Sequence, residues 1–364
     1  MRRLRISIFV TMFILICVGV VMIYSASSVT TWQRTGESTQ LLRKQAFFVL
    51  IGFIAMFGVM ALDYGTLKRV AKPLFLVSLF SLAIVLLPGV AHEAGGAKRW
   101  LRLAGFNFQP SELVKVTLVV YLADFINRRA AYLKDFWKGF APPAAVLGAA
   151  VLLILLQPDL GTAVALVVLT FTMLFVAGCR MRHILYSILA SLPFLYFLIF
   201  SVSYRRTRIL TFLNPWLDPK GSGFQIIQSQ IALGTGGWWG VGLGQGKQKL
   251  FYLPAAHTDF IFSIIGEELG FLGAACVVLL FVYFVVCMAL VAWQVRDPFG
   301  KMICVGVLTL IAFSAAVNIG VSMGALPTKG LPLPFISYGG SSLIFHMIAV
   351  GLLLNVSRAE ERVL

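Results

Sequence analysis

The chain has 364 residues, of which 59% are hydrophobic and only 12% charged, with a mean hydropathy of +0.92. A soluble domain is less apolar and about twice as charged, so the composition excludes one and points to a polytopic membrane protein. The net charge of +16 is carried by Lys and Arg spread through short loops between apolar runs. That spread argues against a nucleic-acid partner and for an anionic lipid surface or an anionic substrate.

A bilayer core takes about 20 apolar residues per helix. Ten segments come near that length, at about 6–26, 45–62, 71–90, 111–127, 141–156, 159–177, 184–202, 259–290, 302–325 and 341–357. The first follows Met1–Arg5 and precedes Ser25-Ala26-Ser27, an arrangement like a signal peptide and its cleavage site. Its apolar run is long for a signal peptide, so it reads as a retained span. Gln157-Pro158-Asp159 divides the fifth segment from the sixth. The expected fold is all-α: one transmembrane domain over 1–364, with about ten helices and a large extracytoplasmic loop at 203–258. Placing the N-terminus in the cytoplasm collects more than twice as many Lys and Arg on the inner side as in the short outer loops. By that bias both termini are cytoplasmic. The tryptophans fall in loops or at span ends, where interfacial aromatics belong.

With this topology the polar residues in unusual positions share the outer side. In Gln109-Pro110-Ser111-Glu112-Leu113-Val114-Lys115, Glu112 and Lys115 are three apart and share a helix face. A first-turn Glu suits a helix N-terminus, but a lysine there does not. The pair therefore reads either as a structural ion pair or as a cation held for a phosphate. Asp159, in Gln157-Pro158-Asp159-Leu160-Gly161-Thr162, reads as a helix cap or as part of a site. The loop 203–258 carries Tyr204-Arg205-Arg206-Thr207-Arg208, whose bases are either solvated or in contact with lipid phosphate. Residues 224–231 suggest a short amphipathic helix lying in the interface. A glycine-rich run from Gly234 to Gly246 follows and suits tight turns against the membrane. It lacks the strand–turn–helix context of a dinucleotide site, and no GxxxxGK[ST] occurs anywhere in the chain.

His257, Thr258 and Asp259 stand where this loop gives way to the eighth span. Thr258 suits an N-cap and Asp259 a first turn. Glu267 and Glu268 lie deeper, about 12 Å further along a helix, and capping does not account for them. They are candidates for a structural or coupling role. Before the last span, Leu331-Pro332-Leu333-Pro334-Phe335-Ile336-Ser337-Tyr338-Gly339-Gly340-Ser341-Ser342 is too rich in Pro and Gly for a helix. Either Ser341 or Ser342 caps that span, or the loop, with Ser337 and Ser341, lines a polar cavity.

These runs resemble the SEDS family (shape, elongation, division and sporulation), whose members include FtsW, RodA and SpoVE. The matching stretches are QPSELVK (109–115), QPDLGT (157–162), LNPWLDPKGSGFQIIQSQIALGTGG (213–237), GLGQGKQKLFYLPAAHTDFIFSIIGEELGF (242–271) and LPLPFISYGGSSL (331–343). AHTDFIFSIIGEELG and TKGLPLPFISYGGSSL look more like FtsW or SpoVE than RodA. The resemblance implies a peptidoglycan glycosyltransferase of the bacterial plasma membrane, acting in division or sporulation. Its substrate would be lipid II, a disaccharide-pentapeptide on undecaprenyl pyrophosphate, and its partner a class B penicillin-binding protein among other division proteins. By motif match Asp259 would be the catalytic carboxylate and general base of an inverting transfer. Glu112, Lys115 and Asp159 would belong to the family's cavity, beside His257, Thr258, Ser337 and Ser341. The resemblance also allows a divalent cation, Mg or Mn, which no residue pattern shows independently. Membrane carboxylates would equally suit a lipid II flippase, and a non-enzymatic division scaffold is a third reading.

Overall fold

The computed structural model describes residues 1–94, 97–103, 106–250, 252–328 and 330–363, without the side chains of 34, 91–94, 97, 98, 103, 106, 198, 199, 204, 362 and 363. Lys329 and Phe251, both in motifs quoted above, lie outside the described residues. So do the side chains of Arg34, Lys98 and Arg362, used for the charge bias, and of Tyr204.

Twelve α-helices organise the described chain. The first three are α1 (Arg2–Thr35), α2 (Gln40–Ala61) and α3 (Tyr64–Val85). α1 stops where Gly36 takes φ 75 and its N–H returns to Trp32 O, the left-handed cap that glycine adopts without a Cβ penalty. Asp63 caps α3 by accepting from Gly65 N at 3.0 Å. The central helices are α4 (Pro110–Arg128), α5 (Ala141–Leu156), α6 (Leu160–Val176) and α7 (Met181–Phe200). α8 (Ser203–Leu213) and α9 (Phe224–Thr235) lie within the large loop. The last three are α10 (Ile261–Gln294), α11 (Pro298–Ser322) and α12 (Gly340–Val363). Among the described residues six helices are long and apolar enough to cross a membrane: α1, α2, the 136–156 stretch ending in α5, α10, α11 and α12. The other four expected segments fall on α3, α4, α6 and α7.

Three features differ from the sequence expectation. Residues 91–108, read as loop, form an antiparallel sheet of β1 (Ala91–Ala94), β2 (Ala97–Leu103) and β3 (Phe106–Phe108). The loop 203–258 is partly helical, and α9 does not simply lie in the interface. It docks on α10 and α11, with Ile226, Ile227 and Ala232 buried and Ser229 Oγ within 2.5 Å of Ser263 Oγ. The eighth span begins at Ile261 rather than 259 and is broken at Gly270, where φ is 69 and ψ −169.

The break explains the glycine-rich run. Val241 N donates to Glu267 O (3.0 Å) and Gly242 N to Glu268 O (3.1 Å), while Phe271 N donates to Gly237 O (2.8 Å). The loop thus satisfies the backbone groups that the broken helix releases, which any segment shielded from water requires. A Cβ at Gly240 or Gly270 would collide with the opposite backbone.

α2 and α12 form a close pair. Gly52 makes room for Met347 and Gly351 for the backbone of Met56, small residues that let helices approach. Asn355 Nδ2 donates to Val59 O and Leu62 O, each at 2.8 Å, and satisfies carbonyls at the end of α2. The core runs continuously through α1, α4, α10, α11 and α12.

Candidate active site

Residues 257–259 are held by their carbonyls. Tyr338 N donates to His257 O (2.9 Å), Ser337 Oγ to Thr258 O (2.6 Å) and Asn318 Nδ2 to Asp259 O (3.0 Å). Asn318 also donates to Leu331 O at 2.9 Å, and Ser337 Oγ accepts from Leu333 N at 2.9 Å. The Pro-rich loop before α12 is therefore a splint for this segment. Thr258 does not cap a helix, since its Oγ1 donates to Ala255 O (3.1 Å) and α10 starts three residues later.

With its backbone fixed, Asp259 presents a carboxylate that accepts no hydrogen bond among the described residues. Gly330 faces it, and a Cβ there would stand 3.4 Å from Oδ2. Asp259 as a residue is half-buried. Burial pushes its pKa up to about 6; Arg208 and Arg99 pull it down, and Asp159 pushes it up.

Beside it opens a basic cavity of about 170 Å³, whose lining includes Arg99, Asp159, Arg205, Arg208, Thr328 and Gly330. Asp159 caps α6, accepting from Thr162 N (3.2 Å) and Thr162 Oγ1 (2.9 Å), and also stands 3.9 Å from Arg99 Nη1. Arg99 Nε donates to Gln157 O at 3.0 Å, which fixes the guanidinium to the α5–α6 corner. Arg208 Nη1 donates to Thr328 O at 3.4 Å. A second cavity, of about 610 Å³, lies against the same segment, with His257, Thr258 and Tyr338 in its wall.

Glu112 and Lys115 are not gathered into either cavity. They bond each other at 2.8 Å, both buried. Ser341 Oγ donates to Asn107 O (3.0 Å) and accepts from Gln109 N (3.2 Å), tying β3 to α12. Glu267 and Glu268 are structural. Glu267 Oε1 accepts from Lys247 N (2.7 Å) and Gln248 N (3.2 Å), and Glu268 meets Lys249 Nζ (2.6 Å), Ser25 Oγ and Gly244 N.

Sequence reasoning missed Arg99 and Asn318. Arg99 entered only the charge bias, because a hairpin that turns it toward α6 was not foreseen. Asn318 had a signal, being a lone amide in the apolar run of α11.

Among the described residues no three His, Cys, Asp or Glu side chains converge as a metal site. Asp259 and Asp159 share their surroundings with guanidinium groups, a donor set that does not fit a cation held by protein ligands alone.

The family model described as "Cell cycle protein" (FtsW, RodA, SpoVE) matches residues 5–362. A probable peptidoglycan glycosyltransferase FtsW of Geobacter sp. (strain M18) is 49% identical over 94% of each chain. Stage V sporulation protein E of Bacillus subtilis is 43% identical, over 95% of this chain and 94% of the relative. A chain of a peptidoglycan synthase complex superposes with a TM-score of 0.81 at 32% identity, covering 97% of both. The rod shape determining protein RodA of Thermus thermophilus superposes at 0.73 and 28% identity, covering 97% of this chain and 96% of that one. Agreement of this extent shows that the chain belongs to the FtsW/RodA/SpoVE family of cell cycle proteins.

Proposed function

We infer that this protein is a peptidoglycan glycosyltransferase that polymerises lipid II, with Asp259 as general base. The observation that carries the reading is a carboxylate on a fixed backbone, accepting no hydrogen bond among the described residues, beside a cavity whose lining includes Arg99, Arg205 and Arg208. In the reaction a sugar hydroxyl attacks the anomeric carbon of a second lipid-linked sugar. The O–C bond forms as the bond to pyrophosphate breaks, and configuration inverts. The hydroxyl proton passes to Asp259, and the departing electron pair stays on the pyrophosphate. A carboxylate raised to about 6 is ionised at neutral pH and more basic than an ordinary one. The three arginines meet the charge that develops on the leaving group.

The activity named for the FtsW relatives supports this reading, and the polymerising, crosslinking complex supports a partner that crosslinks. We assign that partner to the class B penicillin-binding proteins and the role to division or sporulation. The charge bias supports cytoplasmic termini, with Asp259 at the outer face of the plasma membrane.

The test supplies purified full-length protein and its partner with lipid II in detergent, where no leaflet exists to cross. Glycan strands are expected with the wild-type protein and none with Asp259→Ala. Absence of product from both, with lipid translocation retained in vesicles, would overturn the reading in favour of a flippase.

A further inference from the structure

We propose that a cavity between α3 and α4, at the end of the bundle opposite Asp259, binds the phosphate headgroup of an anionic phospholipid. The proposal stands apart from the glycosyltransferase reading, because it uses no residue of the Asp259 site.

The helices fix where this cavity lies. Its lining includes Lys72, from the early part of α3, and Tyr121, Phe125, Arg128 and Arg129, from the end of α4, around a volume of about 240 Å³. At the opposite end of α4, Asn107 lines the cavity that meets His257 and Thr258. The 19 residues of α4 separate the two ends by about 28 Å, close to the thickness of a bilayer core. The end with Lys72 and Arg128 also carries both chain termini. Asn355, late in α12, donates to Leu62 O just before the Asp63 cap of α3, and Ser357 Oγ lies 3.7 Å from Met1 Sδ. The charge bias supports a cytoplasmic position for this end.

Three cations meet at the cavity and one carboxylate answers them. Asp124 pairs with Arg128. The side chains of Lys72 and Arg129 make no ion pair or hydrogen bond among the described residues. Other cations at this end are engaged: Lys68 with Asp297 at 3.8 Å and over the rings of Tyr64 and Phe299, Arg5 with Glu361, and Lys138 over Tyr132. The surplus charge therefore faces a hollow instead of a partner. Ammonium and guanidinium groups form charge-assisted hydrogen bonds to phosphate oxygens. Tyr121 adds a neutral donor, since its hydroxyl has no hydrogen-bond partner among the described residues. Its ring is held by stacking on Phe75, with centroids 4.9 Å apart, and the buried Phe125 closes the wall.

The face of α3 says that the phosphate belongs to a lipid. Leu76 and Phe80 follow Lys72 at intervals of four and are both exposed, with Val77 exposed beside them. Side chains four apart share a helix face, so an apolar stripe leads from the cationic hollow toward the membrane interior, where acyl chains would lie. Arg69, exposed one turn before Lys72, continues the positive charge in the other direction. A basic pocket between membrane helices on the cytoplasmic side suits an anionic headgroup.

The experiment uses purified full-length protein, freed of bound lipid in a neutral detergent. The probes are tetraoleoyl cardiolipin and dioleoyl phosphatidylglycerol, against dioleoyl phosphatidylcholine and inorganic phosphate. The readings are lipid bound per protein by native mass spectrometry and melting temperature against probe concentration, because a ligand of the folded state raises it. Both anionic lipids are expected to bind and stabilise, and phosphatidylcholine and inorganic phosphate at the same concentration to do neither. Lys72→Gln/Arg129→Gln is expected to weaken anionic-lipid binding about tenfold or more, and Tyr121→Phe to weaken it less, with no change of charge. Arg182→Gln/Arg358→Gln removes the same charge from exposed positions outside the cavity and is expected to bind like the wild-type protein. Equal weakening by that control pair would reduce the effect to surface charge and overturn the site, as would undiminished binding to Lys72→Gln/Arg129→Gln. If that variant does not fold, Tyr121→Phe decides, and undiminished lipid binding there overturns the site. Stabilisation by inorganic phosphate equal to that by the lipids overturns the lipid assignment in favour of a free phosphate.

Discussion

Asp259 and the Glu267–Glu268 pair stand within ten residues of each other and meet opposite surroundings. Glu268 receives an ammonium, a hydroxyl and a backbone N–H, and Glu267 Oε1 receives two backbone N–H groups. At Asp259 a donor meets the carbonyl, and none among the described residues meets the carboxylate. Donors tie both oxygens of Glu268 and Oε1 of Glu267 to the fold, though Glu267 Oε2 is buried without a partner among the described residues, whereas a carboxylate beside a cavity that receives none is open to a substrate. Charge and proximity to the membrane boundary do not separate the two sites; donor supply does.

The largest expected effect tests that distinction on activity. Asp259→Asn keeps the shape and the Asn318 contact but cannot take a proton. Polymerisation is expected to fall about 10²–10⁴-fold, measured as strand length and initial rate from lipid II. Glu267→Gln, provided the protein folds, is expected to lose far less. Equal losses from the two would erase the distinction.

The reverse should hold for stability. Lys249 and Glu268 form an ion pair with almost no exposure, and removing one partner leaves an uncompensated buried charge. Lys249→Met is expected to cost about 3–5 kcal/mol, read as a lower melting temperature and poor recovery from membranes. Lys249→Met/Glu268→Gln is expected to regain part of that loss, because the glutamine oxygen can still accept from Gly244 N.

How far the sequence carries follows from the same contrast. Hydropathy and charge place the helices, because each span must satisfy the bilayer along its own length. QPD marks the α5–α6 corner because Pro and Asp act locally. The hairpin at 91–108, the break at Gly270 and the turning of Arg99 toward Asp159 depend on partners far along the chain, which no local pattern reports. Glu112 and Lys115 show the limit from the other side. Their spacing correctly pairs them, but it cannot say whether the pair faces a cavity, and in the fold it lies outside both.

A smaller effect is the pH dependence. The pKa of Asp259 is about 6 in the fold against an ordinary 3.8. The folded state therefore binds the proton more tightly than the unfolded one. This group favours the fold below about pH 4 and loses that contribution as pH rises through 6. Allowing for its partial exposure, ionisation costs roughly 1–3 kcal/mol at pH 8. Asp259→Asn is accordingly expected to melt higher than the wild-type protein at pH 8, and the two to converge near pH 4. Activity runs the other way. A base that must be ionised loses about tenfold in rate per pH unit below 6, so the wild-type rate is expected to be half-maximal near pH 6.

The smallest effect separates two roles at one residue. Asp159 caps α6 through Thr162 N and faces Arg99 across 3.9 Å. Asp159→Asn keeps an oxygen for the cap, since Asn and Asp cap about equally well, whereas Asp159→Ala loses the cap at a cost of about 1 kcal/mol. Both remove the negative charge that helps raise the Asp259 pKa. Both variants are therefore expected to shift the acid limb of the pH–rate profile to lower pH by the same amount, and only Asp159→Ala to lower the melting temperature. A shift confined to the alanine variant would mean that the cap, by holding the α5–α6 corner and Arg99 in place, is what Asp259 feels. In that case Asp159 would belong with Glu267 and Glu268, as a carboxylate that serves the fold.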